Sequence, residues 1–160
     1  MSDLPAVRKV NPETNQAAIT VLLIDGNAKD RLYYTQRLQK SSPDYCILEG
    51  SNGQSGLNIC RSNAIDCVVL ELDLPDMSGF QVLVNLVPVA RTPEITVIVL
   101  TRFPYKSLLD AVKMIGAQAA FQKEHTTGDL LDKTILKAIS TLNRDREKAK
   151  PATLPIGSNT

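Results

Sequence analysis

Short, β-rich apolar runs alternate with amphipathic stretches along most of this chain. The runs cover 19–24, 46–50, 67–70, 95–100 and 119–122. After each run, apolar residues recur at helical spacing, over 30–40, 53–63, 79–86, 106–115 and 128–142. A period near two predicts strands and a period near 3.6 predicts helices, so the pattern reads as β/α units repeated in series. In the last stretch Leu131, Ile135, Ala138 and Leu142 form one stripe, expected to be buried in the core.

The first, third and fourth runs are almost continuously apolar (Ile19-Thr-Val-Leu-Leu-Ile24, Cys67-Val-Val-Leu70, Ile95-Thr-Val-Ile-Val-Leu100). Parallel strands covered by helices on both faces have that composition, whereas half-exposed strands alternate. The predicted fold is therefore α/β: a flavodoxin-like, doubly wound, five-stranded parallel sheet of order 2-1-3-4-5 with five helices. Such sheets bind ligands beyond the carboxyl ends of their strands, at the switch in strand order, which here lies between strands one and three. Asp25 and Glu71 close those two strands. Residues 1–17 and 144–160 lack either periodicity and are expected to be flexible tails around one domain over 18–143.

Composition narrows the function. Lys plus Arg, at 18, nearly cancels Asp plus Glu, at 17, so no overall field favours nucleic acid or an anionic membrane. The mixed-sign segment Arg144-Asp-Arg-Glu-Lys-Ala-Lys150 reads as a solvated helix end rather than a nucleic-acid contact. No apolar run approaches the ~20 residues that span a bilayer, and the start lacks the order of a secretory signal, so a cytoplasmic protein is expected. Cys46, Cys60 and Cys67 have no metal-ligand spacing and read as buried thiols; His125 is the only histidine, which disfavours zinc. The chain also lacks a G-x-G-x-x-G, Walker or G-x-S-x-G motif, which argues against a small flavodoxin-like enzyme or nucleotide binder.

The sharpest signal is the segment Asp66-Cys-Val-Val-Leu-Glu71 followed by Leu-Asp-Leu-Pro75-Asp-Met-Ser-Gly79. An acid ending the third strand, four residues before a proline and eight before a glycine, resembles the phosphoacceptor loop of two-component response-regulator receiver domains. The resemblance covers roughly 18–143. In that family the acceptor is aspartate. Here Glu71 holds the position, and its additional methylene sets the carboxylate outward by about one C–C bond.

The resemblance implies roles for the other strand ends. A working receiver holds Mg²⁺ on acids after strands one and three, and a hydroxyl and an ammonium bind the phosphoryl oxygens. Asp25 matches the first acid, but Gly26 stands at the second, removing a metal ligand, and Asn27 comes one position late. Thr101 and Lys123 match the phosphoryl-contact positions, with Glu124 where proline is usual. Arg102 stands where the family carries a small residue; it is expected either to reach over the site and bind a carboxylate bidentately or to point to water. Ala120 stands at the aromatic switch position, and Phe121 should face the opposite side of the strand. Asp73 and Asp76 read as turn residues ahead of a helix capped by Ser78.

The expectation is an atypical pseudo-receiver in which Lys123 pairs with Glu71 or Asp25 in place of a phosphoryl group. No cofactor and little Mg²⁺ affinity are expected; a metal, if held, would draw on Asp25, Glu71 and Asp73. The chain would act, not as an enzyme, but by phosphorylation-independent contact with a histidine kinase or a downstream signalling protein, or by homodimerising through the fourth helix, fifth strand and fifth helix. Phe103 and Tyr105, read as an exposed pair near that face, are expected either to anchor a partner or simply to pack the loop. The alternative is a Mg²⁺-dependent receiver accepting phosphate on another acid.

Overall fold

Each apolar run becomes a strand and each amphipathic stretch a helix in the computed structural model, which describes residues 18–42, 44–87 and 95–151. In chain order the elements are β1 (Ile19–Ile24), α1 (Ala28–Ser41), β2 (Tyr45–Gly50), α2 (Gly53–Ser62), β3 (Cys67–Leu70), α3 (Gly79–Leu86), β4 (Thr96–Thr101), α4 (Lys106–Ile115), β5 (Ala119–Gln122) and α5 (Gly128–Ala149). A single 3-10 turn, Lys123–His125, joins the last strand to the last helix. All strand pairs are parallel and the sheet order is β2-β1-β3-β4-β5, as the sequence predicts.

The continuous apolar strands feed two cores. Leu22, Ile24, Val68, Leu70, Val97 and Val99 point to one face, where Leu57, Val82, Leu83 and Val112 of α2, α3 and α4 cover them. The intervening Val21, Leu23, Cys67, Val69, Ile98 and Leu100 point to the other face, against Tyr34 and Leu38 of α1 and the predicted stripe of α5. Alternate residues of a strand project to opposite faces, so a strand buried on both must be apolar throughout.

Helix ends are set by local chemistry. The Asn27 side chain accepts hydrogen bonds from the amides of Lys29 and Asp30, so α1 begins at Ala28, two residues before the predicted start at 30. Ser78 caps α3 as predicted, in a reciprocal box with Gln81. The fifth helix departs most from expectation. It continues to Ala149, so 144–149 are helical where a tail was expected; Arg144, Arg146, Glu147 and Lys148 are good helix formers. The other tail residues, 1–17 and 152–160, lie outside the described residues. The cysteines are free, with Cys67 buried and the other two half-buried. No described helix is long and apolar enough to cross a membrane.

Candidate functional site

The sheet ladder carries one residue past the ends of β1 and β3. The Asp25 amide donates to the Gly50 carbonyl at 3.0 Å and the Glu71 amide donates to the Ile24 carbonyl at 2.9 Å. Both acids are thereby fixed side by side on the upper edge of the sheet. Thr101 ends β4, and Lys123 opens the turn after β5. Asp25, Glu71 and Lys123 line a cavity of about 320 Å³ also bordered by Asp30 and Asp73, and Thr101 joins them through Glu71.

Glu71 is only 3 % exposed, and both of its oxygens are occupied. Oε1 accepts from the Thr101 hydroxyl at 2.5 Å and from the Asp73 amide at 3.0 Å. Oε2 accepts from the Arg102 amide at 3.1 Å and faces Lys123 Nζ at 2.9 Å. Lys123 is equally committed: Nζ also meets Asp25 Oδ2 at 2.6 Å and Asp30 Oδ2 at 2.8 Å. An ammonium has three N–H donors. Here three carboxylates take them. The remaining Asp25 oxygen accepts from the Asn27 amide at 2.8 Å.

The electrostatics follow from this crowding. Burial alone would push the Lys123 pKa down, but hydrogen bonds to Asp25, Asp30 and Glu71 outweigh it and hold the ammonium well above the usual lysine range. Burial pushes the Asp25 carboxyl up, and the charge of Glu71 adds to that; bonds from Lys123 and the Asn27 amide only partly offset it.

The sequence anticipates much of this cluster. Lys123 pairs with Glu71 and with Asp25, the two acids proposed as alternatives. Asp30 is the partner that sequence reasoning missed. Its signal is an acid in the first turn of the helix after strand one, the turn that looks across the strand ends. Arg102 reaches Asp73 through one guanidinium nitrogen and not bidentately; its side chain is 69 % exposed and lines the same cavity as Glu71. Ala120 packs against the α2/α3/α4 core and Phe121 against the other, so the two residues do face opposite sides.

Two expectations need correction. Phe103 is half-buried against the core, leaving Tyr105, 59 % exposed, as the exposed aromatic of the pair. Asp76 does not serve its own turn alone. Its carboxylate accepts from the amides of Gly53 and Gln54 at 2.7 and 2.9 Å, pinning the β3–α3 loop to the start of α2. Those bonds, the Gln54 amide foremost, hold its pKa below the usual carboxylate range.

The donors present do not suit Mg²⁺. The carboxylate oxygens of Asp25 and Glu71 are all taken by protein donors, and the Asn27 oxygen is spent capping α1. Gly26 contributes no ligand, and a Cβ there would sit 3.0 Å from the Pro75 ring. Among the described residues, no group of three or more His, Cys, Asp or Glu is arranged to hold a metal.

Comparison with known proteins bears on the family and the fold. The family profile described as "Response regulator receiver domain" matches residues 21–135. Protein PilH of Pseudomonas aeruginosa is 25% identical over 122 residues, covering 76% of this chain and 95% of PilH. The nitrate/nitrite response regulator protein NarL of Escherichia coli is 35% identical over 74 residues, covering 46% of this chain; the matched part is 34% of NarL, so the likeness spans about a third of that relative. Among solved structures, a CheY-like receiver domain protein from Methanospirillum hungatei superposes with a TM-score of 0.69 at 17% identity, covering 81% of this chain and 99% of its own. A receiver domain of a DNA-binding response regulator from Colwellia psychrerythraea gives 0.69 at 24% identity, covering 76% and 98%. At such identities these structures speak for the fold alone.

Proposed function

The chain belongs to the response regulator receiver family, a signalling domain of two-component systems, and from that premise we propose that it is a non-enzymatic docking module whose output does not depend on phosphorylation. The observation that carries the reading is the saturation of Lys123. Its ammonium, which would contact an incoming phosphoryl group, already faces Asp25, Asp30 and Glu71 within 2.9 Å. A phosphoryl group arriving at this site would have to break those pairs without the Mg²⁺ that ordinarily offsets its charge. The standing ion cluster replaces the switch and fixes one conformation of the loops around it.

Glu71 is not a phosphoaspartate mimic in this reading. One carboxylate carries less charge than a phosphoryl group, and its charge is spent on Lys123 and on the donors from Thr101, Asp73 and Arg102. Nor does a neighbouring acid replace it, because Asp73 is tied to Arg102 and Asp76 to the α2 amides. With Ala120 at the switch position, no aromatic ring there can relay a rotamer change to β5. The partner is a histidine kinase or a downstream signalling protein in the cytoplasm, or a second copy of the chain. The contact surface is the face made by α4, β5 and α5, where Tyr105, Met114 and Ile115 are 59 %, 89 % and 39 % exposed.

Intact mass after incubation with acetyl phosphate and Mg²⁺ tests the reading. Wild type is expected to remain unmodified. An adduct on wild type would overturn the proposal in favour of a live receiver, and an adduct on Glu71→Asp alone would locate the block at the glutamate.

A further inference from the structure

We propose that the groove between α2 and α3 binds a small amphiphilic carboxylate, its apolar body against Leu57, Met77, Phe80 and Val84 and its carboxylate at Arg61. The groove is open to solvent and has a volume of about 520 Å³, against 320 Å³ for the acid-lined cavity. Ligand clefts commonly measure roughly 300–1,000 Å³ and combine an apolar wall with few polar groups. Leu57 is buried, Met77 and Phe80 are half-buried, and Val84 presents an apolar side chain with 54 % exposure. Met77 adds an adaptable thioether to that wall.

The groove is built by a specific fit. A Cβ on Gly53 would run into the Met77 side chain, so the first residue of α2 must be glycine for Met77 to lie where it does. Asp76 holds the same junction through the amides of Gly53 and Gln54. Charge then selects the ligand. Arg61 is the one charged residue in the lining. Its guanidinium donates to Asn58 Oδ1 at 3.2 Å, and among the described residues it makes no ion pair with a carboxylate. One cation beside an apolar wall suits a monoanion with a hydrocarbon body, and the planar guanidinium fork matches a carboxylate. No carboxylate lines the groove, and the adjoining Asp76 is occupied by the amides of Gly53 and Gln54. The groove adjoins the β3–α3 loop but draws on none of Asp25, Glu71 or Lys123, so the inference stands independently of the docking reading.

Amide-resolved NMR titration with octanoate tests it, with octylammonium and octanol as controls on the full chain. Saturable shifts at Leu57, Met77, Phe80 and Val84 are expected with octanoate. Arg61→Gln should weaken octanoate binding by about fivefold, the reach of an exposed ion pair, and leave octanol unchanged. Val84→Asp, a change at an exposed position, should abolish binding with the fold retained. Octylammonium binding as tightly as octanoate, shifts that rise linearly without saturating, or shifts centred on the exposed Leu32 and Leu136 of α1 and α5 would each overturn the proposal. Failure here would leave the acetyl phosphate result untouched.

Discussion

Lys123 is the residue on which most of the site depends, and its removal should be felt well beyond its own position. With its side chain 11 % exposed, Lys123→Met leaves Asp25 and Glu71 buried without a cation, which is expected to cost about 3 kcal/mol in denaturant unfolding. The pH dependence has a definite sign. The folded-state pKa of Lys123 is raised, so its contribution is complete below the ordinary lysine value of 10.5 and fades as pH climbs through the higher folded value. Wild type should therefore lose stability on the alkaline side more steeply than Lys123→Met. Buried Tyr45 also has a raised value that is common to both proteins; Tyr34, raised by burial and partly lowered by the Lys123 charge, goes higher still in the variant, so the comparison is read from the alkaline limb above the tyrosine range. Thr101→Val removes the hydroxyl donor to Glu71 and is expected to cost about 1–3 kcal/mol, read from the same denaturation curves. The Lys123 pairing was legible in the sequence because strand ends of a wound sheet converge. Asp30 was not, because the predicted helix began on it and its side chain counted only as a first-turn charge.

The helices and strands themselves were legible because their apolar periods are long and regular, while their junctions were less so. Asn27 was considered as a ligand, yet its oxygen caps α1, and the cap moved the helix start. Asp76 shows the limit more clearly: it caps a helix that begins 23 residues earlier in the chain, and no local pattern encodes that distance. Asp76→Ala should raise amide hydrogen exchange at Gly53 and Gln54, with α3 unaffected. If exchange at those amides does not change, the loop is not held through this carboxylate. The extension of α5 was missed for a different reason. Residues 143–149 are exposed on every side, so no apolar stripe marks them, and helix propensity is the signal that remains.

At the scale of the whole molecule, one sheet carries a core on each face, and each strand contributes to both. Leu83→Ala on the α2/α3/α4 side and Ile135→Ala on the α1/α5 side each empty a fully buried position, with an expected cost of about 2–5 kcal/mol. Because the strands are shared, both variants should shift one cooperative transition, seen alike by far-ultraviolet circular dichroism and by tyrosine fluorescence. If Leu83→Ala moved only the dichroism signal, the two faces would be unfolding apart. The wound order also has a consequence in time. Lys123 follows Asp25 by 98 residues, and β4 and β5 must be in place before the two can meet. In vectorial synthesis the acids emerge before the lysine, so the ion cluster can close only after β5 has been made. A chain cut short before Lys123 would carry Asp25, Asp30 and Glu71 without the cation that joins them.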